Sequence, residues 1–237
     1  MPNLVTVRDT APWFRRLYLP AYRVSDAARY ARTSVTNVAH WHYRESYQGQ
    51  PALPGKEHGK PLSYLELVEV AVVATFRQFK VPLKVIAEAR RYMAQTFSSE
   101  YPFAEYRFKT DGFHLLLNLS EVLPELPTKD LIVADRGGQI GWNSMMEDRL
   151  LEFDYDLDYE LALKWFVAGR HSKVVIDPRV AFGAPTVKGL PTWVLKGRWK
   201  AGETVNDMKE DFGLTEEEIY DALQFSGSSA LKESLLK

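Results

Sequence analysis

Few residues in this chain have a type and spacing suited to catalysis or metal binding. Asp154, Asp156 and Asp158 alternate as the first ligands of a calcium loop do. The sixth place of that loop holds Tyr159 instead of glycine, and the twelfth holds Trp165 instead of glutamate. The pattern therefore predicts a solvated strand face, one able to meet a basic partner. His40 and His42 fall on different faces of a helix and are not expected to share a metal. Gly55 to Lys60 has the wrong spacing for a phosphate loop and is followed by Pro61 where Ser or Thr is required. The chain has no cysteine, which excludes a disulfide framework, a thiolate zinc site and a cysteine nucleophile. No serine sits in a nucleophile elbow. The reading is non-enzymatic: no catalytic residue, no metal and no cofactor is expected.

The chemistry that remains is recognition of nucleic acid. Thr36, Asn37 and His40 lie on one short helix, where Asn37 is suited to bidentate pairing with adenine and the other two to base edges or phosphate. Arg23, Arg29, Arg32 and Arg44 flank them, and Lys56, His58 and Lys60 follow, as candidate phosphate contacts.

The elements that would position these residues follow from local signals. Ser25 is expected to cap a helix from Asp26 to Ala31, and Ser34 a second from Val35 to Tyr43. Val24, Ala27, Ala28 and Ala31 would face inward with Val35, Val38 and Trp41, giving the close crossing of a helix-turn-helix. Residues 42–61, rich in Gly, Pro, Gln and Lys, read as a loop or wing. Ser63 and Glu66 form a capping box ahead of a helix to Gln78, and Pro82 to Thr96 is a further helix. Hairpins are predicted around Thr110-Asp111-Gly112, with Tyr106–Lys109 as its first strand, and around residues 135–138. Glu152 to Glu160 reads as one strand with five carboxylates on a face, and Lys164–Val167 and Val174–Asp177 as short strands. Three helices should follow: Pro191–Lys200, then one capped by Thr204 and ended by Gly213, then one opened by the Thr215–Glu218 box.

Charge is distributed unevenly. Residues 1–60 carry nine Lys/Arg against four Asp/Glu, whereas 125–175 carry six against ten and 176–237 eight against ten. The basic end would attract phosphate, and the acidic end would repel it. The carboxylates of Glu216, Glu217, Glu218 and Asp221 argue against DNA for the last helix and favour a protein-binding or dimerising role. There is no apolar run of ~18 residues that could span a membrane, and residues 1–16 lack a signal-peptide core. A cytoplasmic location is expected.

Tyr22-Arg23-Val24-Ser25-Asp26-Ala27-Ala28-Arg29-Tyr30, with Ser34, Val38 and Trp41, resembles the start of MerR-like winged helix-turn-helix regulators. Residues 62–69 and 81–86 look like their third and fourth helices. The segment from Asp177 to Gly189, then Pro191-Thr192, Ala201-Gly202-Glu203 and Asp211-Phe212-Gly213-Leu214-Thr215, resembles domain-of-unknown-function family 433. Leu190 departs from the Thr-Arg-Ile that small members often carry ahead of the proline. The combination is similar to the larger VapB-type antitoxins. That resemblance implies a repressor of its own promoter that neutralises a PIN-like ribonuclease.

The expected architecture is α+β: a winged helix-turn-helix over 1–100, a mixed β segment over 101–175, a trihelical helix-turn-helix-like domain over 176–226 and a tail over 227–237. The expected function is an antitoxin-like transcriptional autoregulator, acting as a homodimer on an inverted repeat. A ligand-sensing MerR-like regulator without a toxin partner is the rival. Asp154, Asp156 and Asp158, with Leu231, Lys232 and Leu235 of the tail, are the candidate partner-binding residues.

Overall fold

The apolar run after Ser63 becomes the central helix of the molecule. In the computed structural model, which describes residues 11–44, 51–57, 59–78, 80–106, 108 and 148–228, every residue from Tyr64 to Phe76 is buried. A helix apolar on all sides is stable only when enclosed, and the other elements form around it. Its start is the expected box: Ser63 N–H donates to Glu66 Oε2 at 2.6 Å, and Glu66 N–H to Ser63 Oγ at 3.3 Å.

The N-terminal helices are α1 (Val24–Tyr30) and α2 (Val35–Tyr43), followed by α3 (Tyr64–Gln78) and α4 (Leu83–Phe97). Ala27, Ala28 and Ala31 are buried and let α1 and α2 approach closely, with Val38 and Trp41 closing the contact. Two details differ from expectation. Helix α1 begins at Val24 with Arg23 in the capping place, so Ser25 lies inside it and caps nothing. Val35 is 50% exposed, because the first residue of α2 projects past the crossing point. Between α2 and α3 the chain folds back: Leu53 N–H donates to Trp41 O at 2.9 Å, and Leu62 bridges Tyr22.

Tyr106 and Phe108 are helical instead of extended. The rest of the first predicted hairpin, and all of the second, lies outside the described residues. Residues 148–151 are helical and lead into a five-stranded antiparallel sheet: β1 (Phe153–Asp156), β2 (Leu161–Trp165), β3 (Val175–Ile176), β4 (Pro185–Val187) and β5 (Leu190–Pro191), in that order. The single strand expected from Glu152 to Glu160 is thus a hairpin. Asp156 Oδ1 accepts from the N–H groups of Asp158 and Tyr159, at 3.0 and 3.2 Å, and turns the chain back. Glu160 completes the reversal at φ +54°. No face with five carboxylates exists, because Glu152 is buried and Asp158 and Glu160 lie in the turn. The sheet also runs through the position expected to divide the central segment from the C-terminal domain: Trp165 of β2 pairs with Ile176 of β3.

Three helices close the described chain: α5 (Thr192–Lys200), α6 (Val205–Phe212) and α7 (Glu216–Phe225). Thr204 with Asp207, and Thr215 with Glu218, form reciprocal capping boxes, and Gly213 ends α6 at φ +61°. The fold is mixed α+β. Among the described residues no helix is long and apolar enough to cross a membrane.

Candidate nucleic-acid interface

Helix α2 presents two different sides. Val38, Trp41 and His42 are buried. Val35, Thr36, Ala39, His40, Tyr43 and Arg44 line an open groove of about 460 Å³ on the other side. Ser34 holds the start of the helix, its Oγ accepting Asn37 N–H at 3.1 Å. The end is held from within, since His42 Nδ1 lies 2.8 Å from Pro54 O. Burial keeps the His42 imidazole below its ordinary pKa, so it is neutral and donates through Nδ1.

Among the predicted base-reading residues, the structure brings Thr36 and His40 together in this groove. Asn37 is exposed but stands about 100° further round the helix than Thr36. Its Nδ2 donates to Thr33 Oγ1 at 3.1 Å, so the amide serves the turn between the helices. Arg44 caps α2, lines the groove and is exposed; Arg23, at the start of α1, is exposed as well.

Three other predicted phosphate contacts are engaged elsewhere. Arg29 lies 4.8 Å from the Tyr30 ring centroid and 5.1 Å from that of Phe225, and donates to Phe225 O at 3.3 Å. It therefore serves the C-terminal carbonyls of α7, where a cation is favoured. Lys196 does the same one residue later, donating to Ser226 O at 2.6 Å. Arg32, in a left-handed conformation at φ +57°, pairs with Glu152. Lys56 is 17% exposed and donates to both oxygens of Glu66, at 2.5 and 2.6 Å. A carboxylate buried by its capping role needs a compensating charge, and Lys56 supplies it. Lys60, at the surface, pairs with exposed Glu57 at 2.6 Å. His58 lies outside the described residues.

The predicted partner-binding carboxylates are dispersed. Asp154 pairs with Arg170 at 2.6 Å and with Lys164 at 3.7 Å. Asp156 makes the β1–β2 turn, and Asp158 is exposed at its tip. Leu231, Lys232 and Leu235 lie outside the described residues.

Two long-range contacts carry no local sequence signal. Tyr22 OH donates to Gly183 O at 2.9 Å and joins the entry of α1 to the loop before β4. That loop has three successive residues at positive φ: Ala181, Phe182 and Gly183. A Cβ on Gly183 would stand 2.2 Å from the Tyr22 hydroxyl. The second contact is the hub at Glu152, which accepts from Arg32, Arg149 and Trp165.

Residues 174–226 match the family model described as "Protein of unknown function (DUF433)". The matched segment spans β3 to α7. The chain is similar to "Putative antitoxin VapB45" of Mycobacterium tuberculosis (strain ATCC 25618 / H37Rv), with 25% identity over 228 residues, covering 88% of this chain and 94% of the relative. A crystal structure of Rv2018 from Mycobacterium tuberculosis shares the fold, with a TM-score of 0.69 at 24% identity, covering 88% of this chain and 99% of the other.

Proposed function

We propose that this protein is an antitoxin-like regulator that binds duplex DNA through the exposed face of α2 and holds a partner toxin through its C-terminal half. The observation that carries the first part is the two-sided α2: one side locked into the core, the other lined by Thr36, His40 and Arg44 and open to solvent. A recognition helix needs that division, with rigid backing on one side and hydrogen-bonding side chains at the surface of the other. The basic balance of residues 1–60 supports it. Arg23, Arg44 and Lys60 are the phosphate contacts in this reading, and residues 51–61 follow α2 in the place of a wing.

Similarity to a protein named as an antitoxin supports the second part. The partner in this reading is a PIN-like ribonuclease, and the DNA is the protein's own promoter, bound by a homodimer whose recognition helices stand about 34 Å apart on an inverted repeat. Asp158 at the β1–β2 tip and the tail with Leu231, Lys232 and Leu235 are the partner-facing residues.

Coexpression with the product of the adjacent reading frame tests the toxin claim. The two proteins should copurify, and the ribonuclease activity of the neighbour should fall when the complex forms. A neighbour that stays separate and keeps full activity on RNA contradicts that claim.

A further inference from the structure

We propose that Val35 and Ala39 make α2 selective for thymine, by packing against its C5-methyl group in the major groove; the inference rests on the reading of α2 as the DNA-contacting helix. The groove of α2 is built from two parallel columns. Val35, Ala39 and Tyr43 are spaced four residues apart along one edge, and Thr36, His40 and Arg44 along the next. Residues four apart on a helix lie one above the other, so Val35 and Ala39 make an apolar edge beside the polar column, and Tyr43 at its end donates its hydroxyl to Glu57 O at 3.1 Å.

Val35 is the residue that needs explaining. It is the first residue of α2, it is β-branched and apolar, and it is half exposed. Nothing in the packing of α1 against α2 requires it, since Ala27, Ala28, Ala31, Val38 and Trp41 make that contact. Ser34 already supplies the cap, so Val35 adds no capping bond. Its position, in the first turn of α2, is the part of a recognition helix that contacts base edges, where an apolar side chain can meet a thymine methyl.

The pairing of columns matches one base pair better than the other. At an A·T pair the major groove offers the thymine methyl beside thymine O4 and adenine N7 and N6. The apolar edge fits the methyl. The Thr36 hydroxyl and the His40 imidazole can bond to the acceptors next to it. At a G·C pair there is no methyl, and the cytosine N4 amino group facing Val35 or Ala39 would lose a hydrogen bond. The exposed guanidinium of Arg44, which lines the groove, favours DNA over an apolar protein surface. A protein segment or second copy covering the groove would bury Arg44 with the apolar edge, at a desolvation cost that a phosphate backbone offsets.

The test uses the full-length protein and the duplex immediately upstream of its own coding sequence, prepared in two forms, one with thymine and one with uracil throughout. Uracil lacks only the methyl. Wild type should bind the uracil duplex roughly fourfold more weakly for each methyl group that α2 packs against in the thymine form, the value of one buried methyl-sized group. Val35→Ser should narrow the difference between the two duplexes by the methyl contact that Val35 makes, leaving only that of Ala39. The substitution does not touch the core, and circular dichroism of the variant should match wild type. Equal binding of both duplexes by wild type overturns the methyl assignment and leaves the DNA-binding reading standing. A Val35→Ser variant that keeps the wild-type preference for thymine also overturns it. So does a Val35→Ser variant that changes oligomeric state while its discrimination is unaltered, because the column is then covered by protein. Failure of wild type to bind either duplex, at low salt, overturns both readings.

Discussion

Arg32 Nη2 stands 3.2 Å from Glu152 Oε1 and ties the turn between α1 and α2 to the residue that leads into the first strand of the sheet. Glu152 Oε2 accepts from Arg149 Nη1 at 2.7 Å and from Trp165 Nε1 at 3.1 Å, and Arg149 Nε donates to Thr75 Oγ1 at 2.8 Å. One buried carboxylate therefore connects the turn between α1 and α2, β2 and, through Arg149, α3. Arg149 is almost fully buried, and that burial lowers its pKa while Glu152 raises it.

The two partners of this pair should behave differently. Glu152→Ala leaves a buried guanidinium without its counter-charge and should destabilise the protein by about 3–5 kcal/mol. Arg32→Ala removes a half-exposed partner and should cost no more than about 1 kcal/mol. Urea unfolding of the two variants checks this; equal losses would mean that Glu152 is not the centre of the network.

Lys56 and Lys60, four residues apart, should separate stability from DNA binding. Lys56→Ala strips Glu66 of its cation and should lower stability by about 3 kcal/mol, near the low end for broken buried pairs. Lys60→Ala should change stability by less than about 0.5 kcal/mol and lower the salt slope of DNA binding by about one. Thermal melts combined with binding at several salt concentrations read both effects. The opposite assignment of the two lysines would refute the placement of Lys56 against Glu66.

Most of the local structure is legible in the sequence, because the signals lie within one helical turn. Ser34, Ser63–Glu66, Thr204 and Thr215–Glu218 all cap the helices expected of them. The acidic strand misleads because alternation from Phe153 to Tyr159 also fits a hairpin, and the turn is made by the Asp156 side chain, not by glycine. Arg29 and Arg32 read as phosphate contacts because their partners, Phe225 and Glu152, stand 196 and 120 residues away. Asn37 is favoured on chemistry alone. Its angle round α2 and its bond to Thr33 emerge only with the geometry.

The Tyr22–Gly183 contact should behave as a coupled unit. Tyr22→Phe removes one buried hydrogen bond, worth about 1 kcal/mol. Gly183→Ala forces a Cβ to 2.2 Å from the hydroxyl at a position with φ +78°, where the left-handed backbone alone costs about 1–2 kcal/mol. The double variant relieves the clash, so the two losses should sum to more than the double variant shows. Strict additivity in a denaturant-unfolding cycle would contradict the contact.

His42 should make stability pH-dependent. Burial holds its folded pKa below the ordinary 6.5, with Glu66 opposing and Lys56 and Arg90 reinforcing the shift. The unfolded chain then takes up the proton first, so stability is full above about pH 6.5 and falls as pH drops through that value toward the folded pKa. Melting temperatures of wild type and His42→Gln between pH 7.5 and 5.5 should converge as pH falls, on the order of 1 kcal/mol for each pH unit below the unfolded pKa. A difference that stays constant over that range would show that His42 does not titrate between the two states.

The most direct test of the central claim is fluorescence anisotropy of the upstream duplex with wild type and with the triple variant Thr36→Ala, His40→Ala, Arg44→Ala. All three positions are exposed or half-exposed, and the variant should melt within a few degrees of wild type. Wild type should bind its own upstream duplex well above a scrambled one, with affinity falling steeply as salt rises. The triple variant should lose that preference and retain at most weak, sequence-independent binding. A triple variant that discriminates the two duplexes as well as wild type would show that the face of α2 does not read DNA.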